Sequence, residues 1–287
     1  MSFYLFNVGI VNLCYNFEIN DFYMISGGLV TDFRHFADCT STNDLARAAA
    51  SSGADEWTVF IADTQSAGRG RMGRTWIDEP GSSLLMSILL RPGTDPSLVM
   101  SLSLLAGLSV CKEIENHCGL KASLKWPNDI IWSGMKIGGI LIESASTGGS
   151  LHYAIAGIGL NLNNRIIPDG ISEKATSVFL ATGRVYERIE IAKGIVAFFK
   201  DHYDEWFGTL GIAEEVNNRN RPGYLEEYVK YCITIGSHVV IERNDGILHG
   251  IAEDVDKNGA LLVRLANGSR LSILSGEVSI RGINGYV

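Results

Sequence analysis

The chain has 287 residues, 46% of them hydrophobic and 20% charged, the composition of a soluble globular protein with room for one large domain and a smaller one. Its 24 Lys and Arg against 32 Asp and Glu leave a net charge of −8, which argues against a general nucleic-acid binder, because non-specific affinity for a phosphate backbone needs a basic surface. Five scattered cysteines without a C-x-x-C pair, and six dispersed histidines without H-E-x-x-H, argue against a His/Cys metalloenzyme and point to a reducing, cytoplasmic compartment.

The first 23 residues are apolar, but no Lys or Arg precedes Arg34, and Asn7, Asn12 and Asn16 interrupt the run. A signal peptide needs a positive leading region, and a membrane span needs a longer apolar stretch. Residues 1–28 are therefore expected to form an extension outside the main fold, with Met24 as the true start, and no membrane partner is expected. From Asp32 the pattern becomes that of an α/β domain. Ser41, Thr42, Asn43 and Asp44 precede good helix formers and mark a helix start with polar side chains at its mouth. Residues 57–62 (WTVFIA) and 84–90 (LLMSILL) read as buried strands, with a loop rich in Gly and Arg between them.

Apolar positions at helical spacing over residues 96–118 predict a core helix. Residues 124–126, 130–132, 138–143 and 153–162 then alternate with turn signals, which predicts an antiparallel meander within a mixed sheet. An amphipathic helix over 189–207 and another over 214–231 close the larger domain, assigned to residues 29–231. From Gly236 short strands are separated by Asn244-Asp245-Gly246, Asn258-Gly259 and Asn267-Gly268, hairpin signals that predict a small β-barrel within residues 232–287.

The stretch from Gln65 to Trp76 carries the most chemistry, because it joins three glycines, Gly68, Gly70 and Gly73, to Arg69, Arg71 and Arg74. It contains G-x-G-x-x-G, yet Pro80-Gly81 and a strand follow where a dinucleotide fingerprint would need a helix. Permanently charged guanidinium forks suit an oligophosphate and a carboxylate. Alone, the loop reads equally well as a solvated basic loop. Lys125-Trp126-Pro127-Asn128-Asp129 alone reads as a surface turn. Lys136 opens a strand through Gly138 and Gly139, where a bulge explains the glycines as well as ligand approach does. Residues 157–163 read as a strand with a polar end, which fits a site and a plain strand end equally well.

In this order the motifs Ser41-Thr42-Asn43, Gly68-Arg69-Gly70-Arg71, Lys125 to Asp129, Lys136-x-x-Gly139-Ile140-Leu141 and Gly159-x-Asn161 closely resemble the biotin protein ligase family over roughly residues 33–282. The resemblance implies a class II synthetase-like, lipoate ligase-like α/β catalytic domain with a C-terminal SH3-like barrel. It implies an enzyme that activates biotin with ATP and Mg²⁺ as biotinyl-5'-AMP, then transfers it to a lysine of a biotin carboxyl carrier protein. By the same resemblance Ser41, Thr42, Asn43 and Gln65 contact the biotin head, Arg69, Gly70 and Arg71 close over biotin and phosphate, and Gly139 lies against biotin. Lys136 stands at the reacting carboxyl and α-phosphate, and Arg74, Trp76, Asn128, Asp129 and Asn161 surround the adenylate, with Asp129 the candidate for Mg²⁺. Met72 and Thr75 stand where some relatives carry basic residues. Some members add a DNA-binding helix-turn-helix. Only about 30 residues precede the catalytic segment here and none forms a basic recognition helix, so no DNA partner is expected. A lipoate ligase and a biotin sensor without turnover are the competing readings, and both monomer and homodimer are compatible with the sequence.

Overall fold

The computed structural model describes residues 17–24, 30–209, 223–243, 246–274 and 277–280. Strands β1 (Phe17–Met24) and β2 (Val30–Cys39) pair antiparallel, and β2 leads through α1 (Thr42–Ser51) into β3 (Val59–Gln65), which lies parallel to β2. With β4 (Leu84–Leu90), β5 (Ser123–Lys125), β6 (Asp129–Trp132), β7 (Met135–Thr147) and β8 (Ser150–Leu160) they form one sheet in the order β1-β2-β3-β4-β8-β7-β6-β5. All its pairings except β2 with β3 are antiparallel, so the sheet is mixed, as the turn signals predicted.

The two faces of the sheet are covered differently. On β3, Val59 and Ile61 join one core cluster, while Phe60 and Ala62 join a second with Leu45, Ala46 and Ala50 of α1. The period of two follows from the pleat. The first cluster holds α2 (Val99–Cys118), α4 (Arg188–Thr209) and α5 (Gly223–Tyr231) against Leu84, Met86, Ile88 and Leu90 of β4. All seven residues of β4 are buried, which explains its nearly continuous apolar text. The segment Pro96–Cys118 is long and apolar enough to cross a bilayer. It is nevertheless the core helix of this fold, with Leu102, Leu104, Leu105, Ala106, Leu108 and Val110 fully buried, each large side chain contributing about 1.5–3 kcal/mol.

Two expectations need correction, and a third falls partly outside the described residues. Residues 17–24 do not stand outside the fold: they add an edge strand to β2, whose backbone groups would otherwise be unpaired. The rest of the expected extension, residues 1–16 and 25–28, lies outside the described residues. Trp57 does not begin a strand; its φ is 69° and its ring packs edge-on against Phe199 and Tyr203 of α4. Of the helix predicted over 214–231 the structure shows α5, and 214–222 lie outside the described residues.

Strands β9 (His238–Arg243), β10 (Gly246–Val255), β11 (Leu261–Leu265), β12 (Arg270–Ile273) and β13 (Glu277–Ile280) make the predicted antiparallel β unit, in the order β12-β11-β10-β9-β13. Its core residues Val239, Ile241, Val255, Leu261 and Val263 are continuous with the main cluster. Two contacts fix the junction. The buried indole of Trp126 donates to the Gly259 carbonyl at 2.9 Å, and the Trp126 amide donates to Thr234 Oγ1 at 3.0 Å. Gly259, at the tip between β10 and β11, has φ +83°, and a Cβ there would stand 2.8 Å from the Ser101 amide nitrogen in α2. Gly259→Ala is therefore expected to cost about 1–3 kcal/mol through strain and overpacking. An unchanged denaturation midpoint would show that this tip does not bear on α2.

Candidate active site

On the α1 side of the sheet three strands end in a strip with little side chain. Register places Leu85 of β4, Gly159 of β8 and Gly139 of β7 in one row, and Ser87, Gly157 and Leu141 in the next. The glycines make the floor. A Cβ on Gly157 would collide with the Asn43 amide, and one on Gly159 would stand 2.8 Å from the Trp76 indole. A Cβ on Gly139 would meet Lys136 Nζ at 3.2 Å, so this glycine makes room for the lysine as well as for Trp76, 3.6 Å away. Gly138 faces the other way, against the Gly159 carbonyl and Ile130.

The walls form a cleft lined by Ser41, Thr42, Asn43, Gln65, Arg69, Gly70, Arg71, Trp76, Asn128, Lys136 and Gly139 among others. Ser41 occupies the N-cap of α1, yet its side chain makes no capping bond. The next two residues are held by bonds to strands. The Thr42 amide and hydroxyl donate to Gln65 Oε1 at 2.7 and 3.1 Å. Ser87 Oγ lies 2.7 Å from Thr42 Oγ1 and 2.6 Å from Asn43 Oδ1, and Asn43 Nδ2 donates to Glu143 Oε2 at 2.8 Å. Thr42, Asn43 and Ser87 are buried, so each of these bonds offsets a desolvation cost.

The glycine/arginine loop folds as a short hairpin. Gly70 donates to the Arg74 carbonyl at 2.7 Å and Trp76 to the Gly68 carbonyl at 3.0 Å, around a 3-10 turn over Arg71–Gly73. Arg69 reaches Asp44 on α1, and Arg71 Nη1 donates to Asn128 Oδ1 at 3.0 Å. The Arg69 contact holds the Asp44 carboxyl below the usual carboxylate range. Lys136 Nζ meets Asp129 Oδ1 at 2.5 Å and lies 5.9 Å above the Trp76 ring. Its backbone is pinned by the Lys174 carbonyl and the Thr176 amide. Trp76 Nε1 is buried and has no hydrogen-bond partner among the described residues.

The fold thus gathers most of the residues singled out in the sequence, but not all. Asn161 does not line the cleft: its Nδ2 donates to the Thr176 carbonyl at 3.0 Å, its amide to Ile137, and its carbonyl accepts from Val178. It clips the end of β8 to the segment that precedes α3 (Val178–Thr182). Arg74 is exposed on the outer arm of the hairpin, and Asp129 stands behind Lys136 rather than in the lining. Sequence reasoning missed Asp44, Ser87, Glu143, Gly157 and the floor position of Gly159. The only local signal for Ser87 was one hydroxyl in an otherwise apolar strand.

Comparison with known proteins agrees with this geometry. Residues 36–161 match the Biotin/lipoate A/B protein ligase family, and residues 234–281 match the Biotin protein ligase C terminal domain. The bifunctional ligase/repressor BirA of Bacillus subtilis is 32% identical over 243 residues, covering 84% of this chain and 71% of that protein. The biotin--[acetyl-CoA-carboxylase] ligase of Mycobacterium tuberculosis is 32% identical over 248 residues, covering 84% and 86%. The structure of the Aquifex aeolicus biotin protein ligase in complex with biotin and ATP superposes with a TM-score of 0.69 at 27% identity, covering 87% of this chain and 98% of that one. With both of its domains matched in order and relatives aligned along most of their length, the chain belongs to the biotin protein ligase family.

Proposed function

We propose that the chain joins biotin to ATP, forming biotinyl-5'-AMP and pyrophosphate, and then transfers the biotinyl group to a lysine of a biotin carboxyl carrier protein. The observation that carries this reading is the convergence of the Ser41–Asn43 corner, the Gln65 amide, the glycine/arginine hairpin and Lys136 on one glycine-floored cleft. A cyclic urea needs several fixed donors and acceptors in a small, mostly dry pocket, which the Thr42, Asn43, Gln65 and Ser87 network supplies. In the first step a biotin carboxylate oxygen bonds to the α-phosphorus, and the bond to the pyrophosphate oxygen breaks. Two anions must approach, so cations at the reacting centre lower the barrier. Lys136, oriented by Asp129, and Arg71, oriented by Asn128, both line the cleft with Trp76 and are assigned that role. The unpartnered Trp76 N–H is a donor that an adenylate acceptor would satisfy. In the second step the carrier amine attacks the acyl carbonyl and AMP leaves; the activated species is the mixed anhydride, so no nucleophile from this chain is required.

Among the described residues no three His, Cys, Asp or Glu gather as a metal-binding group, and the Asp129 carboxylate is engaged by Lys136. Magnesium enters this reading as part of the MgATP substrate. The described cysteines Cys39, Cys111, Cys118 and Cys232 are free and buried, and burial pushes the Cys39 and Cys118 thiols up to about 12, which fits the proposed cytoplasmic location of an unreactive, reduced chain.

The direct test is incubation with biotin, MgATP and an apo carrier domain, with lipoate run in parallel. A mass gain on the carrier lysine with biotin alone is expected; a gain with lipoate alone makes the chain a lipoate ligase, and binding of biotin without pyrophosphate release makes it a sensor. Lys136→Ala is expected to slow pyrophosphate release at saturating substrates by about 10²-fold, the scale of one preorganised transition-state donor. Because its charge matters most as the new bond forms, biotin affinity measured without ATP should change far less. Wild-type release rates in this variant would remove Lys136 from the mechanism. The net charge of −8 further supports a protein that does not hold duplex DNA, and a gel shift at near-physiological salt that survived non-specific competitor would overturn this.

A further inference from the structure

The two arginines nearest the pocket in the glycine/arginine hairpin point to different walls. Arg71 crosses to Asn128, on the Lys125 to Asp129 turn. Arg69 turns toward α1, where Nη1 and Nη2 donate to Asp44 Oδ2 and Oδ1 at 2.9 and 2.7 Å, one prong to each oxygen. Nη2 also lies 3.5 Å from Glu143 Oε2. Arg47, one turn along α1 from Asp44, closes the cluster with bonds of 2.8 Å to Asp44 Oδ1 and to Glu143 Oε2. Two carboxylates and two guanidiniums alternate, so the cluster holds the hairpin without adding net charge beside an anionic substrate.

Asp44 is well placed to act as an anchor. It is the third residue of α1, where the helix N-terminus favours a carboxylate, and it follows directly on Thr42 and Asn43 of the pocket wall. Asn43 donates to the same Glu143 oxygen that Arg47 uses. The pocket corner and the hairpin are therefore tied to one pair of acids. The fork of Arg69, which the motif alone assigns to ligand carboxylate and phosphate, is engaged at both prongs by protein.

We infer that Asp44 is the positioning residue of the glycine/arginine hairpin: through Arg69 it fixes where the Gly68 to Gly70 backbone lies over the bound acyl group. Charge neutralisation at the phosphate then falls to Arg71 and Lys136. Glu143 supports the same contact from β7. This inference rests on the proposed ligase reading for its kinetic consequence, and on geometry alone for its structural one.

A single exposed ion pair moves an equilibrium by less than about fivefold. A two-pronged, charge-assisted contact braced by a second carboxylate is expected to reach about tenfold. Asp44 touches no ligand in this account, so its loss should act on retention rather than on chemistry. In Asp44→Ala, release of labelled biotinyl-adenylate from the full-length protein should quicken about tenfold and KM for biotin should rise, while pyrophosphate release at saturating biotin and MgATP changes less than about threefold. Asp44→Glu, which keeps a carboxylate, should recover most of the retention. Asp44→Ala and Arg69→Ala should not add, because each removes the same contact; the double variant should release adenylate as fast as either single one. Additive effects, or unchanged release in Asp44→Ala, would overturn the inference. Tryptic cleavage after Arg71 and Arg74, in protein without substrates, reads the hairpin independently of activity and should quicken in Asp44→Ala; an unchanged rate counts against the anchor. Wild-type protein that forms no adenylate defeats the ligase reading instead, and the cleavage rates still decide the anchor. Thermal unfolding of each variant separates a loosened hairpin from an unfolded one.

Discussion

The indole of Trp76 and the amide of Asn43 reach the middle of the sheet only because β8 carries no side chain at Gly159 and Gly157. β8 lies between β4 and β7, so a side chain at either position would stand up in the centre of the cleft. Its opposite face is ordinary: Ala154, Ala156, Ile158 and Leu160 pack into the main core. One strand thus serves a dry core on one side and a floor on the other, and the period of two in the pleat makes this division possible. The rest of the site is arranged around that floor. Asn43 rests on Gly157, Trp76 rests on Gly159, and Lys136 bends over Gly139 toward the same indole.

A pocket that holds buried amides and hydroxyls against a bare floor must satisfy them from the walls. Asn43 has Ser87 on its carbonyl side and Glu143 on its amino side, which fixes the amide in one orientation. Thr42 is tied to Gln65 at the end of β3. Strands β3, β4 and β7 therefore each contribute one polar residue to a single corner at the start of α1. Such a network is costly when incomplete, so each member constrains the others. The same corner carries Asp44, which links pocket and hairpin through Arg69.

Much of this was legible in the sequence and some was not, for identifiable reasons. Motif residues that lie close along the chain, such as Ser41 to Asn43, Arg69 to Arg71 and Lys136 to Gly139, came together as expected. The turn signals also gave the meander from β5 to β8 and the antiparallel C-terminal unit. Ser87, Gly157 and Glu143 were hidden because their importance depends on register between strands that are distant in sequence, which no local pattern encodes. Asp44 was hidden for another reason: its partner, Arg69, lies 25 positions away, and a carboxylate early in a helix already has a sufficient local explanation. Asn161 differs in the opposite direction. The resemblance set it beside the adenylate, whereas in the structure its side-chain amide donates to the Thr176 carbonyl where β8 ends, outside the cleft lining. The pairing of residues 17–24 with β2 was equally unmarked, since an apolar stretch without motif residues reads alike as extension or edge strand.

The Lys125 to Asp129 turn shows how the small unit reaches the chemistry. Trp126 is buried and faces the C-terminal unit, giving its indole N–H to the Gly259 carbonyl. Two residues on, Asn128 faces the cleft and accepts from Arg71, while its carbonyl accepts from the Ile140 amide and its Nδ2 donates to the Ile140 carbonyl at 3.2 Å. Asp129 then takes Lys136. Pro127 restricts the backbone between the anchoring Trp126 indole and the pair Asn128 and Asp129. The tip between β10 and β11 itself lies close against the start of α2, where a Cβ on Gly259 would stand 2.8 Å from the Ser101 amide nitrogen. The C-terminal unit therefore abuts the turn that carries Asn128 and Asp129, the partners of Arg71 and Lys136, whereas Asp44 of α1 holds Arg69.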